Sequence, residues 1–380
     1  MFYTWWYMGA LSSLILYLLV YGCSTLCFHY GVLYRKEDDH FASELLFLIG
    51  ALIVSVFAAI RYHVGTDYQN YVYIYEGMSS GTLLEGLTYK ETVNSFGTFI
   101  IARIAMYCGG VYAFFGLYAF CVSYFGIRII ACKYSHVPIG IAAFLFLIGP
   151  FTSSLNIMKQ IMASVIVLYA FEYLYNRSFW KYLVFICLAM LFHTTAVVMI
   201  AVYFLFPRSS ENGEYIKGLS YVLVLLAAIC VLFFDEIVLM VTKIPLFAKF
   251  AHYVIGAQVT GRNLSFFYKL IIVCGLFFIR SKLVDINENN YVLFLLTVIG
   301  LIIEFTGFSG AFLKRLSIYF YSIPELLLLS QVSLVFKEED RRVIQWCIVG
   351  MEVLLFILIY VILGQADLIP YRTVFNSMCV

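Results

Sequence analysis

Residues 44–60 read ELLFLIGALIVSVFAAI, and residues 61–71 continue RYHVGTDYQNY. The first stretch has the length an apolar helix needs to cross about 30 Å of hydrocarbon, with its one charge, Glu44, at the start. The second leaves the apolar run with a cation, a carboxylate, a glycine and several aromatic rings. A membrane-crossing helix that opens directly onto polar chemistry sets the class of fold, and the rest of the chain repeats the first half of that pattern.

Working outward, 63% of the 380 residues are hydrophobic and only 12% are charged. A soluble domain has about 45–50% and about 25%. Aromatics make up 19%, prolines number six and mean hydropathy is +0.95. Such a composition excludes disorder, a disulfide scaffold and a nucleic-acid binder, and it leaves too little polar surface to cover a soluble core. The net charge of +2 points to no partner class. Met1 to Met8 carry no Lys or Arg, so the first apolar run reads as a retained span rather than a signal peptide. The ten cysteines include no CxxC pair and read as small core hydrophobes.

Apolar runs predict an all-α polytopic membrane protein of about twelve spans, at 8–29, 44–60, 111–131, 138–150, 152–175, 180–193, 194–206, 218–234, 265–280, 291–306, 313–334 and 343–363. The chain is one integral membrane domain, 1–380. Arg35-Lys36, Arg128, Lys133, Arg177, Lys181, Arg208, Lys217, Arg280, Lys282, Lys337 and Arg341-Arg342 then fall on one side, which is cytoplasmic by the positive-inside rule. Both termini lie outside. Residues 91–110 are apolar around Arg103. Counting them as a crossing would invert every later loop, so 61–110 is an external loop with a re-entrant or interfacial segment. Residues 235–263, with Lys243, Lys249 and His252, read as an amphipathic stretch on the outer surface, a lid or an anchor. No internal repeat is evident.

Eleven of the 24 basic residues oppose that rule: Arg61, Lys90, Arg103, Lys159, Lys243, Lys249, Arg262, Lys269, Lys314, Arg315 and Arg372. Their external clustering fits an anionic ligand such as a lipid-linked phosphate at the membrane–water boundary. Snorkelling headgroup anchors are the alternative, chiefly for Lys243, Lys249 and Arg372.

Four constellations carry chemistry. Arg61 has a planar fork of donors for phosphate or carboxylate, and Gly65 permits a turn that brings Asp67 back toward it. Tyr68 and Tyr71 offer flat faces for sugar rings. A plain Arg61–Asp67 salt bridge tying the loop is the alternative. In the second, a helix starting near Ser154 puts Asn156, Lys159 and Gln160 on one side at its N-terminus, a place suited to an anion. Third, His193 between two apolar runs is a proton acceptor near neutral pH or a packing residue. Fourth, Arg315 and Tyr319 share a helix face beyond Lys314. The intraspan carboxylates Glu172, Glu304 and Glu325 either act or neutralise a nearby cation. No metal-ligand motif or cofactor signature is present.

Residues 61–71 resemble the "R-Y-x-V-G-T-D-Y-x-x-Y" signature of the EpsG family of polysaccharide-biosynthesis membrane proteins, which are Wzy-like polymerases. Asn156 to Gln160 is similar to the family's "N-x-x-R-Q" with Lys159 in place of arginine, Phe192-His193 to its "F-H", and Arg315 with Tyr319 to its "R-x-x-x-Y". Glu91 approximates the place of a family glutamate. The resemblance implies a glycosyltransferase C-like architecture in the bacterial cytoplasmic (inner) membrane, with the active site outside. It implies polymerisation of undecaprenyl-diphosphate-linked oligosaccharide repeat units for capsule, exopolysaccharide or O-antigen, without metal or cofactor. Asp67 or His193 would be the catalytic base. Arg61, Arg103, Lys159 and Arg315 would hold diphosphate, and Tyr68, Tyr71, Asn156, Gln160 and Tyr319 would face sugar. Membrane lipids and a chain-length regulator or flippase of the same pathway are the expected partners. A ligase or other lipid-linked glycosyltransferase, a flippase and a non-catalytic export subunit are the alternatives. A flippase should line a mid-membrane path with ionisable groups, whereas these gather at one face.

Overall fold

The computed structural model describes residues 2–205, 264–306 and 311–377, with isolated positions between 229 and 243. The regular elements among the described residues are helices, joined by turns and loops, with one isolated antiparallel bridge between Arg61 and Thr373. The helices are α1 (Phe2–Lys36), α2 (His40–Ala59), α3 (Tyr68–Ser79), α4 (Leu83–Thr88), α5 (Lys90–Asn94), α6 (Phe96–Cys108), α7 (Gly110–Lys133) and α8 (Ile139–Ser154). They continue with α9 (Met158–Tyr175), α10 (Phe179–Met190), α11 (Thr194–Leu205), α12 (Leu264–Ile286), α13 (Asn290–Thr306), α14 (Ala311–Gln331) and α15 (Glu338–Ile362).

Among the described residues, five helices are long and apolar enough to cross a membrane: Gly9–Lys36, His40–Ala59, Gly110–Lys133, Arg315–Val335 and Glu338–Ile362. The other apolar runs within the described residues also fall on helices, except that 152–175 is interrupted at 155–157. The expected span 218–234, the amphipathic stretch 235–263 and the basic residues Arg208, Lys217, Lys249 and Arg262 lie outside the described residues.

Contacts group the chain into two compact units. One comprises Met1–Leu174, Ser178–Ile200 and Glu339–Val380; the other comprises Tyr175–Arg177 and Ala201–Glu338. In the first, α1 packs along α2, and α2 along α7. Ser24 Oγ donates across the α1–α2 seam to the Gly50 carbonyl at 2.7 Å, and Tyr21 Oη meets Thr152 Oγ1 at 2.8 Å. Such bonds satisfy polar groups internally where no water competes. Leu11, Leu19, Phe41 and Trp180 point outward and are exposed. Cys23, Cys187, Cys274 and Cys347 are exposed as well, not core residues as expected. In a membrane helix the outer face is itself apolar, so a hydrophobic side chain there is no sign of burial.

The segment 91–110 contains α6, thirteen residues long. At 1.5 Å per residue it extends about 20 Å, short of a full crossing. It packs against α7 after a turn in which Gly109 and Gly110 have φ of +133° and +73°. Two successive left-handed positions fold the chain back at once, at little cost only for glycine.

The break expected near residue 151 falls instead at 155–157. Pro150 does not end its helix but is absorbed in a π-turn over Leu147–Phe151, and the next helix starts at Met158. A π-turn leaves backbone groups out of the regular ladder, which accommodates proline's missing N–H.

In the second unit α13 packs on α14 and α12. Lys269 Nζ and Ser317 Oγ bind Glu304 Oε2 at 3.1 and 2.7 Å, so this carboxylate neutralises a neighbouring lysine. Glu325 accepts from Tyr321 Oη at 2.9 Å.

Candidate active site

The break at 155–157 gathers the polar end of the first unit. Its first contact is Leu155, whose carbonyl accepts from Arg61 Nη1. Arg61 is 1% exposed. Its Nη2 approaches Met158 Sδ at 3.8 Å, and its guanidinium carbon sits 4.5 Å from the centre of the Phe115 ring and 5.7 Å from that of Tyr68. Burial lowers the guanidinium from its ordinary value to about 10, which still leaves it charged at neutral pH. Arg61, Phe115, Tyr118, Ser154, Leu155 and Met158 border a small cavity of about 10 Å³, and Arg61 Nε has no acceptor among the described residues. The salt bridge considered between Arg61 and Asp67 is not formed: Arg61 turns inward beneath its own loop.

The second contact is Asn156. Its Oδ1 accepts from Thr66 Oγ1 at 2.9 Å and from the Asp67 amide at 2.8 Å. One amide oxygen thus fixes the loop at the residue that carries the carboxylate. The loop comes close because residue 65 is glycine: its φ is +101°, and a Cβ there would lie 2.9 Å from the Leu155 carbonyl oxygen. Asp67 starts α3 without capping it through its side chain, and is half-buried.

The third contact is Lys159, in the first turn of α9. Its Nζ lies 3.1 Å from Glu91 Oε2, with the side chains 15% and 34% exposed. A lysine against the positive end of a helix dipole needs an anion nearby, and Glu91 supplies one. Sequence reasoning had left Glu91 outside the site. The signal that could have found it is the ill-placed Lys159, which called for an acidic partner. Gln160 is buried at 3% and Tyr68 and Tyr71 at 4% and 5%, so these three build the wall rather than an open sugar surface.

Arg103 is held by the backbone below the same end: Nη2 donates to Thr82 O at 2.6 Å and Nη1 to Ser79 O at 3.4 Å, where α3 ends. His193, half-buried and extended at φ −152°, stands between α10 and α11. The residues before it grip the start of α6: Gly97 N donates to Leu191 O at 2.8 Å, and the Phe192 ring packs over Gly97. Ser95 Oγ in turn donates to Glu91 O at 2.8 Å. The structure therefore brings Arg61, Asp67, Asn156 and Lys159 around one break and links the His193 segment to the α5–α6 piece that carries Glu91. Arg315 and Tyr319 belong to α14 of the second unit, the first exposed and the second buried.

Ionic groups at the other ends of the same helices are separate. Lys133 Nζ meets Glu172 Oε2 at 2.6 Å, and Glu44 takes Arg128 along with Tyr124 Oη at 3.2 Å. One end of the first unit thus pairs its cations with carboxylates from α2 and α9. The other arranges them around the motif loop.

A last element closes the loop from the chain's far end. Residues 364–374 form a strap along 60–66: Tyr62 N donates to Arg372 O at 2.9 Å, Val374 N to Ile60 O at 3.0 Å, Gly65 N to Asp367 O at 2.9 Å and Thr66 N to Ala366 O at 3.0 Å. Tyr371 stacks on Phe57 at 4.3 Å and donates to the Phe57 carbonyl. No motif marks this strap, because main-chain pairing between segments as distant as Arg61 and Thr373 leaves no residue signature.

Residues 44–373 match the family model described as EpsG family, which covers most of the chain and takes in both the motif loop and nearly all of the strap. No curated protein and no solved structure matches the chain.

Proposed function

The chain belongs to the EpsG family, and from that premise we propose that it polymerises undecaprenyl-diphosphate-linked oligosaccharide repeat units on the extracytoplasmic face of the bacterial cytoplasmic membrane. Family membership and the apolar helices give a multi-pass membrane protein with a polysaccharide-polymerase-like, glycosyltransferase role. The donor, the face and the residue roles are our reading. The observation that carries it is that the motif loop, with Arg61 and Asp67, meets the break at 155–157 through Leu155 and Asn156, while Glu91 of α5 pairs with Lys159 just beyond that break.

In the reaction, a sugar hydroxyl of one repeat unit attacks the anomeric carbon of the growing glycan. The bond from that carbon to the lipid diphosphate breaks, and the hydroxyl proton passes to a base. We assign the base to Asp67, whose amide is fixed by Asn156 while its carboxylate is left outside the cap of α3. His193 is the second base candidate. The leaving diphosphate gains charge as the bond breaks, and a cation held at that point lowers the barrier. Lys159 at the α9 N-terminus is the group we assign to it, with Glu91 as its partner before substrate arrives. Arg103 completes the proposed cation set of this unit, and the diphosphate role implied for Arg315 is proposed for the second unit by itself. Arg61 acts from below: its buried charge anchors the loop to Leu155, a positioning role in place of direct diphosphate contact. Sugar contacts fall to Asn156, while Tyr68, Tyr71 and Gln160 shape the wall and Tyr319, buried at 2%, packs within the second unit.

Deleting the gene in its host tests this reading. Cells without the protein should accumulate single repeat units on the lipid and lose long glycan, and the wild-type chain should restore it. Long glycan unchanged by deletion contradicts the proposal.

A further inference from the structure

In an extended pair, side chains opposite one another share a face, and successive residues alternate between faces. The Arg61–Thr373 bridge, with Tyr62 N bonded to Arg372 O, therefore sets Tyr62 opposite Arg372. Arg61 takes the inner face and is buried; Arg372 takes the outer face and is exposed. Beside it runs an aromatic surface. The Tyr62 ring meets His63 edge-on at 4.5 Å and Tyr68 at 6.4 Å, and His63 is exposed with φ of +49°. A bulky residue held in the left-handed region costs on the order of 1–2 kcal/mol and survives where the surrounding structure demands it.

Three other cations of this end are engaged. Arg61 is committed to Leu155, Arg103 to Ser79 and Thr82, and Lys159 to Glu91. Arg372 stands outward on backbone that is pinned on both sides, at Tyr62 by its own carbonyl and at Tyr371 by Ser13 Oγ, which accepts the amide at 2.8 Å. Pinned backbone places a guanidinium with less ordering cost than a loop would.

We propose that Arg372 is a substrate-binding residue that meets a phosphate of the lipid-linked donor, with Tyr62 against the sugar ring next to that phosphate. A guanidinium fork matches phosphate oxygens in pairs, and a flat ring with a polar edge suits the pyranose beside it. The inference rests on the function proposed above and adds the C-terminal strap to its site. A bilayer headgroup offers the same phosphate chemistry, so the two sources must be separated.

The test uses the full-length protein in nanodiscs of phosphatidylcholine, and again with phosphatidylglycerol added. The probes are undecaprenyl diphosphate and neutral undecaprenol. R372Q should bind undecaprenyl diphosphate about tenfold more weakly than wild type at an unchanged melting temperature, a loss typical of one charge-assisted contact. R372K, which keeps the charge and loses the paired donors, should bind more weakly than wild type and more tightly than R372Q. Y62L should leave binding of undecaprenyl diphosphate unchanged and weaken binding of a sugar-bearing lipid diphosphate. Equal affinities of R372Q and wild type for undecaprenyl diphosphate would overturn the assignment of Arg372. So would a difference confined to discs containing phosphatidylglycerol, which marks a headgroup anchor. Equal sugar-bearing probe affinities for Y62L and wild type would overturn the part given to Tyr62. A wild-type protein that binds undecaprenyl diphosphate no better than undecaprenol would sink the proposed function together with this inference.

Discussion

Arg61 donates through Nη1 to the carbonyl of Leu155, a residue 94 positions later in the chain. That bond joins the end of α2 to the break before α9, and it explains why a charged side chain is tolerated at 1% exposure. A carbonyl at a helix break has no intrahelical donor, and a buried guanidinium needs acceptors. Each supplies what the other lacks.

Replacing Arg61 with alanine leaves the Leu155 carbonyl without its donor in a buried setting, a cost of about 1–3 kcal/mol. R61A should lower the melting temperature and abolish long glycan while single repeat units stay on the lipid. R61K keeps the charge without the fork, so it should recover part of the stability and little of the polymer. Glycan length unchanged in R61A would refute the positioning role. Chain-length analysis of extracted glycan, together with thermal unfolding, reads both effects.

Gly65→Ala meets two obstacles, a φ of +101° and the Leu155 oxygen 2.9 Å from the new Cβ. The left-handed backbone alone costs about 1–2 kcal/mol. The variant should lose at least the corresponding stability, and the motif loop should lift from Asn156. Hydrogen exchange at the Asp67 amide, now bonded to Asn156, should accelerate; an unchanged rate would contradict this packing.

Asn156 contributes one oxygen to two donors. Asn156→Asp retains an acceptor for both and should keep activity within a few-fold. Asn156→Ala removes it and should cost about 0.5–1.5 kcal/mol for each of these half-exposed bonds, seen as loss of polymer. If both variants behave alike, the oxygen is not what orders the loop.

For Lys159, a double-mutant cycle with Glu91 measures the pair directly. At 15% and 34% exposure the coupling should lie near 0.2–1 kcal/mol. K159R should retain polymerisation because an arginine preserves the cation, and K159Q should not. Full activity in K159Q would remove this residue from the diphosphate site.

Much of the fold was legible because hydropathy depends on composition over about twenty residues, which the apolar runs display openly. The runs at 111–131 and 343–363 lie on Gly110–Lys133 and Glu338–Ile362. The break at 155–157 was not legible in the same way: Pro150 attracts attention, yet a π-turn absorbs it and the chain opens five residues later. Of the site, Arg61, Asp67, Asn156 and Lys159 announced themselves as polar groups at span ends. The direction in which a side chain turns did not, and this is why Arg61 read as a surface cation and Tyr68 and Tyr71 as sugar platforms. The roles of Glu91 and of the strap at 364–374 arise from contacts between distant segments, which one sequence does not display.

The end of the first unit opposite the motif loop should be dispensable for chemistry. Lys133→Gln breaks its 2.6 Å pair with Glu172, a half-exposed bridge worth about 0–1 kcal/mol. Glycan length in K133Q should match wild type. Complete loss of polymer there would place the working end on the wrong side of the bundle.

The central claim is polymerisation, and the most direct measurement is incubation of the purified protein with a single undecaprenyl-diphosphate-linked repeat unit. The account predicts a ladder spaced by one repeat unit, with one undecaprenyl diphosphate released for each new bond and no ladder from D67N. Unreacted starting material, or a single larger product formed only when a foreign acceptor is supplied, would contradict it.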